Sequence, residues 1–117
     1  MSRNLPLDNG LEIDIQKMNT NLQKINQKQI FCTHVSNVTG YILPVEEIFR
    51  EAKKHGSINV LDSAQSLGLI DVRADLMDVD LIAFAGHKTL YGPFGYWRIY
   101  QCVRSATRYI YYRRDRQ

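Results

Sequence analysis

Cysteine and long apolar runs are both scarce in this chain. Cys32 and Cys102 are its only cysteines in 117 residues. Two are too few for a disulfide framework, and their spacing matches no metal motif. No apolar run is long enough to span a bilayer, and the opening Met1-Ser-Arg-Asn-Leu-Pro6 does not resemble a secretory signal. A reducing cytoplasm is therefore the expected location. Internal repeats and low-complexity segments are absent. The length bounds the chain to one small domain with a limited core.

Net charge is +3, but the excess is local. From Tyr96 to Gln117 there are six arginines and one acid, Asp115, which leaves nine basic and eleven acidic residues before Tyr96. Five of the seven tyrosines and the one tryptophan also lie in that tail. The body is mildly acidic and the tail alone makes the chain basic, so the composition shift marks a boundary.

What is present ahead of the boundary reads as alternating strands and helices. Ile15, Met18, Leu22 and Ile25 recur at helical spacing. Gln29–Ser36 reads as a short buried strand, followed by a Ser36–Gly40 loop. Pro44 suits the start of a second helix, where its missing N–H costs little. Glu46 and Glu47 in its first turn and Lys53 and Lys54 in its last match the helix dipole. Val45, Ile48, Phe49 and Ala52 supply its buried face, and Gly56 ends it. Ile58–Leu61 and Val79–Phe84 are two further apolar strands. Strand, helix and strand in this order predict a βαβ unit with parallel pairing, in which ligands bind beyond the carboxyl ends of the strands.

Asn37, Asp62 and Lys88 all fall at those ends. Each has a simple reading alone: a turn former, a strand-end cap for residues 64–68 and a solvated loop lysine. Together they pair an acid at one strand end with an amine just past the next. That pairing suits pyridoxal phosphate (PLP), whose aldehyde a lysine amine holds as a Schiff base. A carboxylate then keeps the pyridine nitrogen protonated, so that the ring acts as an electron sink.

The stretches His34-Val-Ser-Asn-Val-Thr-Gly40, Leu43-Pro44, Asp62-Ser-Ala-Gln65, Gly68 and Asp80 through Gly95 resemble the class V aminotransferases, PLP-dependent enzymes of fold type I. Within that family the cysteine desulfurase and selenocysteine lyase branch is the most similar. The resemblance runs from about Leu5 to Gly95. It implies Lys88 as the Schiff-base lysine, Asp62 as the pyridinium partner, Gln65 and Asn37 as ring-oxygen and substrate contacts, and His87 near the phosphate. Many members carry a serine where Ala85 stands, so one phosphate anchor is expected to be missing or supplied elsewhere. The family's upstream phosphate loop, its ring-stacking histidine, its downstream substrate-binding arginine and its reactive cysteine have no counterpart here. Cys32 and Cys102 do not match that cysteine, and Cys32 is expected to be a buried strand residue.

The family pattern stops just after Gly95. Tyr96-Trp97-Arg98 can be encoded TAT TGG CGG, which shifted by one base reads Ile-Gly-Gly. With allowed codons the shifted frame continues into a Thr-Gly-Gly-Thr-Gly stretch similar to that of family members. Residues 96–117 are therefore read as a basic aromatic tail and a candidate frameshift product. The competing reading, a genuine binder of nucleic acid or an anionic membrane surface, is set below it.

The sequence thus predicts an α/β fold. It would be a partial three-layer sandwich with a mainly parallel sheet, part of a PLP-dependent large domain over residues 1–95. The function implied is removal of sulfur from cysteine, giving alanine and a persulfide, with the isolated chain incomplete and inactive. Alternatives are selenocysteine lysis, transamination or epimerisation by the same lysine, or a truncated domain with no catalysis. A cysteine-like amino acid is the implied substrate and no metal is expected. The family's homodimer is not expected to form intact, and no membrane or nucleic-acid partner is expected.

Overall fold

The computed structural model describes residues 4–10, 12–26, 28–103 and 106–110. The tail residues Arg104, Tyr111, Tyr112, Arg113, Arg114, Asp115 and Arg116 lie outside the described residues.

Among the described residues two helices and five strands follow one another as α1 (Ile15–Gln23), β1 (Gln29–Thr33), α2 (Val45–Lys53), β2 (Ile58–Asp62), β3 (Leu81–Ala85), β4 (Trp97–Val103) and β5 (Ala106–Ile110). Asp14 caps α1 by accepting a hydrogen bond from the Lys17 N–H at 2.8 Å, which satisfies one of the orphan donors of the first turn. Ile25, read as part of the helical stripe, lies just past its end. Pro44 is the N-cap of α2 rather than its first helical residue, and Glu46 and Glu47 sit in the first turn as the dipole favours.

The sheet runs in the order β1-β2-β3-β4-β5. β1 pairs parallel with β2, and β2 with β3. β4 then returns antiparallel along β3, and β5 antiparallel along β4. The expected parallel βαβ core is present, and the two strands contributed by the tail make the sheet mixed. Phe84 and Tyr100 stack across the β3–β4 seam with ring centroids 5.2 Å apart.

Both helices cover one face of the sheet. Their apolar faces meet Ile30, Cys32, Leu61 and Ile82 in one cluster with Met18, Leu22, Ile48 and Phe49. Period-two alternation sends the other strand residues to the opposite face, where Phe31 is 68% and Trp97 51% exposed. The described residues thus form two layers of the expected three-layer sandwich. Among them no helix is long and apolar enough to cross a membrane.

Asn59 is fully buried and fully partnered. Its amide nitrogen donates to the Phe49 and Asp78 carbonyls, and its amide oxygen accepts from the Ser57 hydroxyl. A buried amide is tolerated only with such partners. It locks α2 to the amino-terminal end of the sheet, opposite the strand ends that carry the candidate site.

Candidate functional site

Strand register brings the candidate residues to one edge of the fold. Thr33 pairs with Asp62, and Asp62 with Ala83. The three parallel strands therefore finish side by side, each feeding a loop at its carboxyl end.

After β1, the Ser36 hydroxyl accepts from the Val38 and Thr39 N–H groups, and the Gly40 N–H donates to the Ser36 carbonyl. This small turn presents Asn37 exposed. After β2, Asp62 is also exposed, and one carboxylate oxygen accepts from the Ala64 N–H at 3.0 Å. Its capping role is real, but it caps a turn and not a helix. Ser66 and Leu67 donate back to the Ser63 carbonyl to close that turn, and Gln65 lies half-buried within it.

After β3 comes the loop that carries Lys88. Gly86 donates to the Tyr96 carbonyl at 2.8 Å, and Gly92 returns to donate to the Gly86 carbonyl at 2.7 Å. A Cβ on Gly92 would stand 2.9 Å from the Gly86 oxygen, so only glycine allows this backbone crossing. Lys88, held by its N–H to the Ala85 carbonyl at 3.2 Å, is exposed. Ala85 is buried and offers no hydroxyl. Among the described residues no hydrogen bond joins the side chains of Asn37, Asp62, Gln65, His87 and Lys88 to one another. They share an edge, each positioned by its own loop.

His87 is set differently. Its ring meets Phe94 and Trp97, each with centroids 5.3 Å away, and its Nδ1 is buried without a partner. An orphaned buried nitrogen carries a desolvation cost that a hydrogen-bonding ligand would relieve. The aromatic cradle could not be read from the sequence, because it depends on Trp97 pairing with Ala85 across β3–β4. Two further buried polar atoms, His34 Nδ1 and Ser66 Oγ, also lack partners. A groove of about 770 Å³ beside α1 and β1 is lined by Leu5, Met18, Leu22, Phe31 and Leu43, and none of the candidate residues lines it.

Neither cysteine joins this edge. Cys32 is 4% exposed, and burial pushes its thiol up to about 12. Cys102 is half-buried, and burial and then the nearby Asp80 carboxylate raise its thiol.

The donor set at the strand ends is a carboxylate, two amides, an imidazole with an unused nitrogen and a primary amine. These groups fit the ring nitrogen, ring oxygen and aldehyde of PLP. For the phosphate, Ala85 offers no side-chain donor, and among the candidate residues His87 is left.

Comparison with known proteins gives this arrangement its family. The Aminotransferase class-V family matches residues 3–100, five of them within the tail. A probable cysteine desulfurase of Aeropyrum pernix is 55% identical over 62 residues, which are 53% of this chain and 15% of that protein. The cysteine desulfurase of Dickeya dadantii is 36% identical over 98 residues, 84% of this chain and 23% of that protein. Among solved structures, the apo cysteine desulfurase of Thermococcus onnurineus NA1 superposes with a TM-score of 0.71 at 33% identity, over 83% of this chain and 24% of that one. The chain thus spans under a quarter of the length of these relatives. With this match over most of its length, the chain belongs to the class V aminotransferase family, whose members are PLP-dependent.

Proposed function

We propose that Asn37, Asp62, Gln65, His87 and Lys88 form one wall of a PLP site serving cysteine desulfuration. The observation that carries this reading is the Asp62–Ala83 register. It sets an exposed carboxylate one strand away from the strand that leads into Lys88.

When bound, PLP supplies an electron sink that stabilises negative charge at the substrate α-carbon. The Lys88 amine would hold the aldehyde carbon, and would move the substrate α-proton as a general base. The Asp62 carboxylate holds the proton on the ring nitrogen. Gln65 and Asn37 donate to the ring oxygen and to the substrate carboxylate, and the free His87 nitrogen is offered to the phosphate. Overall, the cysteine Cβ–S bond breaks and sulfur passes to a thiolate, leaving alanine and a persulfide. Cys32 is too buried to be that thiolate, so the acceptor is not drawn from this core.

The desulfurases that the chain resembles support cysteine as substrate. The part of the family's length that this chain spans supports the view that the 117-residue chain alone does not turn cysteine over. Titrating it with PLP tests the reading. A saturable shifted absorbance band lost in Lys88→Ala supports the site, and a band indifferent to that change removes it. Turnover of cysteine by the same chain would contradict its inactivity. The open sheet face, with Phe31 and Trp97 exposed, favours a second reading, a non-catalytic domain that associates through this surface.

The tail is also proposed to be a product of a shifted reading frame. Resequencing the DNA from Pro93 onward tests this. A one-base correction that restores Ile-Gly-Gly supports it, and confirmation of the present frame makes the tail genuine.

A further inference from the structure

Asp62 and Lys88 stand at the mouths of two different loops, and the geometry points to Thr89 as the residue that holds those loops together. The Thr89 hydroxyl donates to the Leu67 carbonyl across 22 residues of chain. Leu67 closes the turn that begins at Ser63, the residue after Asp62, and Thr89 is the residue after Lys88. The hydrogen bond therefore connects the two segments bearing the carboxylate and the amine.

A second contact lies beside it. Gly68 has φ +90°, and a Cβ there would stand 2.8 Å from Leu90 Cδ2 and 3.6 Å from the Thr89 carbonyl oxygen. Consecutive residues of one loop, Leu67 and Gly68, thus meet consecutive residues of the other, Thr89 and Leu90. The far end of the turn is fixed as well, because the Ser63 N–H and hydroxyl both donate to the Ala83 carbonyl of β3, at 2.8 and 3.2 Å. Anchored at Ser63 by the strand and at Leu67 by Thr89, the turn has little freedom to move relative to Lys88.

Thr89 is therefore a positioning residue, acting through Lys88 and Asp62 and not on substrate. This deepens the PLP reading and rests on it for the purpose of the site, though not for the staple itself. A cofactor that must meet an amine at one end and a carboxylate at the other gains affinity when both are held in place beforehand.

The test uses the full 117-residue chain with Thr89→Val, which keeps the shape and removes the donor, and Thr89→Ser, which restores it. Amide hydrogen exchange at Leu67, Ile70 and Gly92 is expected to quicken about fivefold in Thr89→Val, as for loss of one hydrogen bond. It should stay at the wild-type rate in Thr89→Ser, with β2 amides unchanged in both. Unchanged exchange in Thr89→Val, or a rise shared equally by β2, overturns the staple. PLP affinity at Lys88 gives the second readout, expected to fall about fivefold in Thr89→Val and to recover in Thr89→Ser. If exchange responds but PLP affinity at Lys88 does not, the positioning role is overturned. If wild-type Lys88 takes up no PLP, the cofactor reading fails, and the exchange result still decides the staple.

Discussion

Lys53 donates to both carboxylate oxygens of Asp80, at 2.7 and 2.5 Å, from the last turn of α2 to the residue before β3. The same carboxylate accepts from the Asn59 N–H at 2.7 Å, and the Asp80 carbonyl accepts from the Cys102 N–H at 2.7 Å. One aspartate therefore joins α2, β2, β3 and β4 at the end of the sheet away from the site. Both partners of the ion pair are about one-third exposed, so the charge attraction is screened and the backbone bond matters at least as much.

Asp80→Ala is expected to lower stability by about 2 kcal/mol, since it leaves the Asn59 N–H unpaired and Lys53 without its partner. Asp80→Asn, which keeps an acceptor, should cost less. Urea denaturation of the three proteins checks the order, and an alanine variant as stable as wild type would contradict it.

Stability should also fall in mild acid. His34 is 4% exposed, and burial pushes its imidazole below the ordinary value of 6.5, with Glu46 pulling the other way. A histidine whose folded value is lowered binds its proton more readily when unfolded. Its stabilising contribution is thus complete above about pH 6.5 and is lost as the pH falls through that value toward the folded one. Melting temperatures between about pH 8 and pH 5 should drop for wild type and flatten in His34→Gln. An equal drop in both would assign the effect to other groups.

Thiol labelling separates the two cysteines. With its thiol raised to about 12 and almost no exposure, Cys32 should resist a disulfide reagent at about pH 8 until the chain unfolds. Cys102, half-buried, should label first, though more slowly than a free thiol. Rapid labelling of Cys32 in the native chain would return it to consideration as a sulfur acceptor.

Much of this was legible in the sequence, for physical reasons that can be named. The face Val45, Ile48, Phe49 and Ala52 is buried as its helical spacing requires, and β2 follows from an apolar run that ends in Asp62. Asn37, Asp62 and Lys88 reach one edge because parallel strands finish together. What could not be read depends on contacts distant in sequence. The Thr89–Leu67 bond spans 22 residues, and the ring contacts of His87 require β4 to return along β3. The tail's arginines and tyrosines masked its strand pattern, so Trp97–Val103 reads as a composition shift and not as a strand.

The most direct test of the central claim is reduction of the chain with borohydride in the presence of PLP, followed by peptide mapping of the attached pyridoxyl group. Saturable labelling is expected only in the peptide that contains Lys88, abolished in Lys88→Ala and weakened in Asp62→Asn. Label spread over the other five lysines according to their exposure, and unchanged in Lys88→Ala, would contradict it.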